Sequence, residues 1–199
     1  MSCVLNSRAL PCECYAPDVR MVMDDTVRRF GEEEWHKVVL TNEIHGHLGI
    51  YSTLGAKMGC LAMSLHDGDD EPEVLSYAGS QPPVSCFNDG LQVSTGATMG
   101  HGLFQLSDEK DKRVEALFTW KSETLRLRLK TEYVRIIQED IRRGVEAYGH
   151  SPRYWSYVRE LALKYWSSGA VTIFLRKCEI YYNAVYHTGQ EAFAFCPVW

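Results

Sequence analysis

Residues 48–63 constrain this chain more than any other stretch. Leu48, Tyr51, Leu54, Met58, Leu61 and Met63 recur at helical spacing, while Gly49, Ser52, Gly55, Ala56 and Gly59 line the other side. So many small residues lower helix propensity. A helix built this way has to be packed at short range, by another helix or by a partner subunit.

The flanking patterns fill in the architecture. Asp25 and Thr26 open a helix that runs through Val27, Phe30, Trp35, Val38 and Val39, with Gly31 breaking it in two. Residues 74–77 read as a short strand, and Phe87, Leu91 and Val93 as a further helical stretch. Residues 103–106 and 114–120 read as strands, and 125–130 alternate with the period of two expected of a half-buried strand, giving a hairpin or meander. Two helices follow, over 131–148 and 152–166. The second has Ser151 at its N-cap and Pro152 in its first turn. After Gly169 the tail alternates weakly and reads as strand-forming. These patterns predict an α+β fold with helices packed on a mostly antiparallel or mixed sheet. They divide the chain into an N-terminal extension (1–24), a core with C-terminal helices (25–168) and a strand-forming tail (169–199).

With 199 residues, 45% of them hydrophobic, the chain can bury one large core. A net charge of −5 argues against nucleic acid as a partner, because phosphate binding needs clustered Lys and Arg. No basic leader, long apolar run or membrane-length span is apparent, and the expected location is the cytoplasm. Seven irregularly spaced cysteines do not suit a disulfide framework.

Chemistry concentrates in two polar islands, Ile44-His45-Gly46-His47-Leu48-Gly49 and Cys86-Phe87-Asn88-Asp89-Gly90-Leu91-Gln92. Two imidazoles and a thiol on glycine-loosened backbone are suitable donors for a transition metal. In an extended segment His45 and His47 would point the same way, and Gly46 would leave room for an ion. The plainer alternative is one histidine capping a helix and the other buried in the core. Cys86 stands at the expected start of a helix, where the backbone dipole would favour a thiolate, a metal ligand or a nucleophile; its plainer alternative is a small buried hydrophobe. Asp89 would orient a histidine or stabilise its own first helical turn. The glycine-rich loop 95–102, with Thr95, Thr98 and His101, offers donors for an anionic ligand group, or is a tight connection between a helix and a strand.

The ordered set His45-Gly46-His47-Leu48-Gly49, Leu54-Gly55-Ala56-Lys57-Met58-Gly59, Cys86, Asp89-Gly90-Leu91-Gln92, Thr95-Gly96-Ala97-Thr98 and Gly100-His101-Gly102 resembles the core of the FmdE-like family of formylmethanofuran dehydrogenase proteins over residues 25–135. The resemblance implies an α+β core, often dimeric, with a metal-capable pocket around His-x-His and the cysteine. It also implies a link to molybdenum or tungsten formylmethanofuran dehydrogenase systems. Gly49 and Ala97 replace cysteines common in that family, which removes a thiol pair but leaves a His, His, Cys set. Cys178, His187 and Cys196 lack the spacing of the zinc module that ends some relatives.

The expectation is therefore a homodimer binding one divalent transition metal, zinc, through His45, His47 and Cys86, with a fourth position open to a small ligand. Asp89, Thr95, Thr98 and His101 would support that ligand set. The competing expectations are a metal-free enzyme with Cys86 as nucleophile and a metal-handling protein without turnover.

Overall fold

The computed structural model describes residues 10–68, 70–121, 123–149 and 151–177. Its helices are α1 (Pro17–His45), α2 (Ile50–Ser64), α3 (Phe87–Thr95), α4 (Thr131–Tyr148), α5 (Pro152–Trp166) and the single turn α6 (Ala170–Ile173). Its strands are β1 (Glu73–Ser76), β2 (Phe104–Leu106), β3 (Glu115–Thr119), β4 (Thr124–Leu129) and β5 (Phe174–Lys177). The sheet order is β2-β1-β3-β4-β5, with β1 and β2 parallel and the other pairs antiparallel. This is the expected α+β architecture with a mixed sheet. Within β4 the alternation sends Leu125, Leu127 and Leu129 into the core, where Leu125 pairs with Phe118 and Leu127 with Ala116 of β3.

The small-residue side of α2 is filled from within the chain. A Cβ added at Gly55 would stand 2.0 Å from the Phe87 carbonyl oxygen, and one at Gly90 would stand 2.2 Å from the Ala56 amide nitrogen. Only glycine lets α2 and α3 approach this closely. Because α3 takes up this face, the small residues give no separate support for a partner subunit.

Helix α2 is the hub of the helical layer, touching α1, α3 and α5. At its centre the fully buried Lys57 forms an ion pair with Glu34 of α1 and donates to the Trp166 carbonyl oxygen of α5 at 2.9 Å. Its Nζ also lies 4.1 Å from the centroid of the Phe30 ring. Burial pulls Lys57 below the usual lysine range and pushes Glu34 above the usual carboxylate range, while each charge partly restrains the other. Trp35 of α1 and Trp166 of α5 stack beside this pair at 4.3 Å.

Several boundaries differ from those expected. Helix α1 starts at Pro17, well before Asp25, so the expected N-terminal extension is partly helical. Proline sits in its first turn, and Asp18 accepts two hydrogen bonds from Arg159 of α5 at 2.5 and 2.9 Å, which ties this end down without an apolar period. Gly31 does interrupt the helix, at φ 86° and ψ 163°. Ser151 occupies the N-cap of α5 but makes no side-chain capping bond. The tail opens with the helical turn of α6 before β5, and residues 178–199, including Cys178, His187 and Cys196, lie outside the described residues. Among the described residues no helix is long and apolar enough to cross a membrane.

Candidate functional site

Asn42, one turn before the end of α1, shapes the turn that carries the two histidines. Its Nδ2 donates to the Val38 carbonyl oxygen (2.9 Å) and to Thr53 Oγ1 (3.2 Å), while its Oδ1 accepts from the Gly49 amide (3.0 Å) and from Ser52 Oγ (2.7 Å). One buried side chain thereby joins the end of α1 to the start of α2. Gly46 terminates α1 at φ 83°, its amide donating to the Asn42 carbonyl oxygen at 3.0 Å, the left-handed C-terminal cap that glycine adopts without strain.

The two histidines are consequently not on an extended strand. His45 is the last helical residue and His47 follows the left-handed glycine, yet their rings lie 4.4 Å apart. A Cβ at Gly46 would meet nothing within 4 Å, and it is the left-handed backbone conformation that calls for glycine there.

Asp89, in the first turn of α3, reaches across to His45, with its Oδ2 2.8 Å from the imidazole Nδ1. A carboxylate at this nitrogen favours, for a neutral imidazole, the tautomer with its proton on Nδ1 and the lone pair on Nε2. That Nε2 is buried and has no hydrogen-bond partner among the described residues. Buried polar atoms are nearly always paired; His45 Nε2 is one of several described side-chain atoms left without a partner, His66 Nε2 among them, and of the two histidines it is the one that borders the cavity shared with His47 and Cys86.

Cys86 closes a short 3-10 turn (Val84–Cys86) and occupies the N-cap position of α3. The helix start does not stabilise its thiolate as expected: burial, and then the Asp89 charge, push the thiol above the usual cysteine range. Burial, and then His45, lower the pKa of His47, favouring its neutral, lone-pair-bearing form.

His45, His47 and Cys86 line one cavity of about 200 Å³. Gly49 lines it too, and a Cβ at this position would lie 3.3 Å from His45 Nε2, so this residue borders the imidazole. Among the described residues, however, no three His, Cys, Asp or Glu side chains are grouped so that they could hold one ion. The structure thus brings the expected donors to a shared cavity without assembling them into a coordination sphere.

The glycine-rich loop does not line this cavity. Thr95 Oγ1 donates to the Leu91 carbonyl oxygen (2.7 Å) and accepts from the Ala97 amide (3.2 Å), and Thr98 Oγ1 accepts from the His101 amide (3.2 Å). The His101 ring faces Glu71 at 3.9 Å. These groups serve the connection between α3 and β2, the plainer of the two readings of that loop.

The opposite wall of the cavity escapes sequence reasoning. Ile141 of α4 and Tyr154, Trp155 and Val158 of α5 close it, together with Tyr51 of α2. The periodicity that identifies α4 and α5 also makes these residues look like ordinary core. The one signal in the sequence is the adjacent pair Tyr154-Trp155, and Trp155 is 57% exposed, with its ring 5.7 Å from that of His47. His66 has no motif to single it out either; it stacks on Trp120 at 4.3 Å and pairs with Glu123, away from this cavity.

The protein-family profile described as "FmdE, Molybdenum formylmethanofuran dehydrogenase operon" matches residues 44–174, about two thirds of the chain. The match begins immediately before His45 and spans every residue lining the cavity. No curated protein matches the chain.

Proposed function

Because the chain belongs to the FmdE family, we propose that it binds one divalent transition metal, zinc, through His45, His47 and Cys86, with a further position open to a small ligand. The observation that carries this reading is the buried, unpartnered Nε2 of His45, whose lone-pair tautomer Asp89 favours. Three protein ligands with one open position is the composition of catalytic zinc sites. His47 and Cys86, which line the same cavity, supply the other two donors on this reading. The metal, when bound, would supply a Lewis acid at the polar end of an otherwise apolar cavity.

On this reading the protein acts as a homodimer in the service of a molybdenum or tungsten formylmethanofuran dehydrogenase system, as an accessory or an enzyme of one-carbon metabolism. The alternative is metal-free nucleophilic catalysis by Cys86; both roles need a thiolate, which burial and Asp89 oppose, and a bound cation would offset that cost where a metal-free site would not.

Zinc titration against a chromophoric chelator tests the proposal. The wild type should bind one equivalent, and His47→Ala and Cys86→Ser should each bind on the order of a hundredfold more weakly. Equal affinity in all three proteins would remove the reading.

A further inference from the structure

The wall facing the proposed metal ligands constrains what else enters the cavity. Its aliphatic surface comes from Ile50, Pro82, Pro83, Ile141 and Val158, and three aromatic side chains, Tyr51, Tyr154 and Trp155, complete it. Among the described residues no Lys, Arg, Asp or Glu lines it. Away from the proposed metal ligands an anion would give up its hydration without a cationic side chain to pair with, and burying an unpaired charge costs far more than apolar contact returns. A cation would find aromatic faces but no carboxylate on this wall, and a metal bound at the other end would repel it. At about 200 Å³ the cavity exceeds the roughly 150 Å³ of an apolar protein cavity that takes up benzene. It has room for one ring and a substituent.

Of the three aromatic residues, Trp155 is the exposed one. Trp155 is edge-on to both the Tyr154 ring, at 5.6 Å, and the His47 ring, at 5.7 Å, so its indole links the wall to the histidines. An indole 57% exposed to solvent gains apolar cover when a flat molecule lies against it.

We propose that this cavity accepts an uncharged, flat, single-ring molecule whose polar substituent faces His45, His47 and Cys86, with Trp155 as the residue that selects for the ring. The inference rests on the functional reading above for the role of the polar end; the choice of a neutral ring follows from the wall itself.

Calorimetric titration with phenol, phenyl phosphate and phenyltrimethylammonium, on zinc-loaded and on chelator-treated protein, tests it. With the metal removed, phenol is expected to bind at least tenfold more tightly than either charged probe, and Trp155→Ala to weaken phenol binding roughly tenfold. Val158→Phe, which fills the cavity from the opposite side, should abolish phenol binding while the protein remains folded by circular dichroism. Comparable binding of a charged probe to chelator-treated protein, no phenol binding to folded zinc-loaded protein, or an unchanged affinity in Trp155→Ala would overturn the proposal. Selective phenol binding by a protein that takes up no zinc would support it and would refute the metal reading separately.

Discussion

The crossing of α2 and α3 sets the distance between the His45 and Asp89 halves of the site, so widening it should disturb stability and site together. Gly90→Ala is the sharpest perturbation. Its Cβ would lie 2.2 Å from the Ala56 amide nitrogen and 2.3 Å from the Ser52 carbonyl oxygen, whereas ordinary contact begins at 3.4 Å. Both obstacles are backbone atoms, so rotamer changes cannot relieve the clash and the helices must part by more than an ångström. Overpacking a well-packed core costs about 1–3 kcal/mol, and a contact this short belongs at the upper end. For a domain of this size each kcal/mol lowers Tm by roughly 2–4 °C, giving an expected loss of about 6–12 °C. Gly100→Ala is the control, since its Cβ would approach only Thr98 Oγ1, at 3.8 Å, and should change stability by less than about 0.5 kcal/mol. Thermal and urea unfolding of the two variants measure the contrast. Equal stability of Gly90→Ala and Gly100→Ala would refute the close-crossing argument.

Lys57→Met leaves Glu34 buried without its partner and should cost about 3–5 kcal/mol in urea unfolding; adding Glu34→Leu should recover most of that loss. Asp89→Asn should weaken zinc binding about 10- to 100-fold in chelator competition while leaving Tm within a few degrees of wild type, because the Asp89–His45 contact orients a ligand at a partly exposed edge. Asp18 is held below its ordinary pKa of 3.8 chiefly by hydrogen bonding to Arg159, so its contribution is complete above that value and is lost as pH falls through the lower folded value. Asp18→Asn should therefore flatten the acid limb of stability below about pH 4, as measured by denaturant unfolding at a series of pH values.

Much of the fold can be read from periodicity because the long amphipathic segments state their partners plainly. The 131–148 and 152–166 helices and the alternating 125–130 strand appear where expected. The start of α1 escapes this reading because Pro17 and the Asp18–Arg159 contact anchor it through a cap position and a long-range ion pair, neither of which has a period. The small residues of α2 announce a close packing contact, but α3 and a second subunit would leave the same trace in sequence. At the site, His45, His47, Cys86 and Asp89 are legible as residue types, and the structure adds that Asp89 meets His45 and that all but Asp89 border one cavity. The wall from α4 and α5 is not legible, since a residue on a core-facing helical stripe looks the same whether it packs against a neighbour or faces an internal space. The 95–102 loop misleads in the opposite direction: its free-looking hydroxyls and amides largely satisfy one another locally.

X-ray absorption at the zinc edge of the metal-loaded protein tests the central claim most directly. The expected spectrum contains one sulfur at about 2.3 Å and two imidazole nitrogens at about 2.0–2.1 Å, with the sulfur shell lost in Cys86→Ser. A shell of light atoms alone in the wild type, or a sulfur that persists in Cys86→Ser, would contradict a site built from His45, His47 and Cys86.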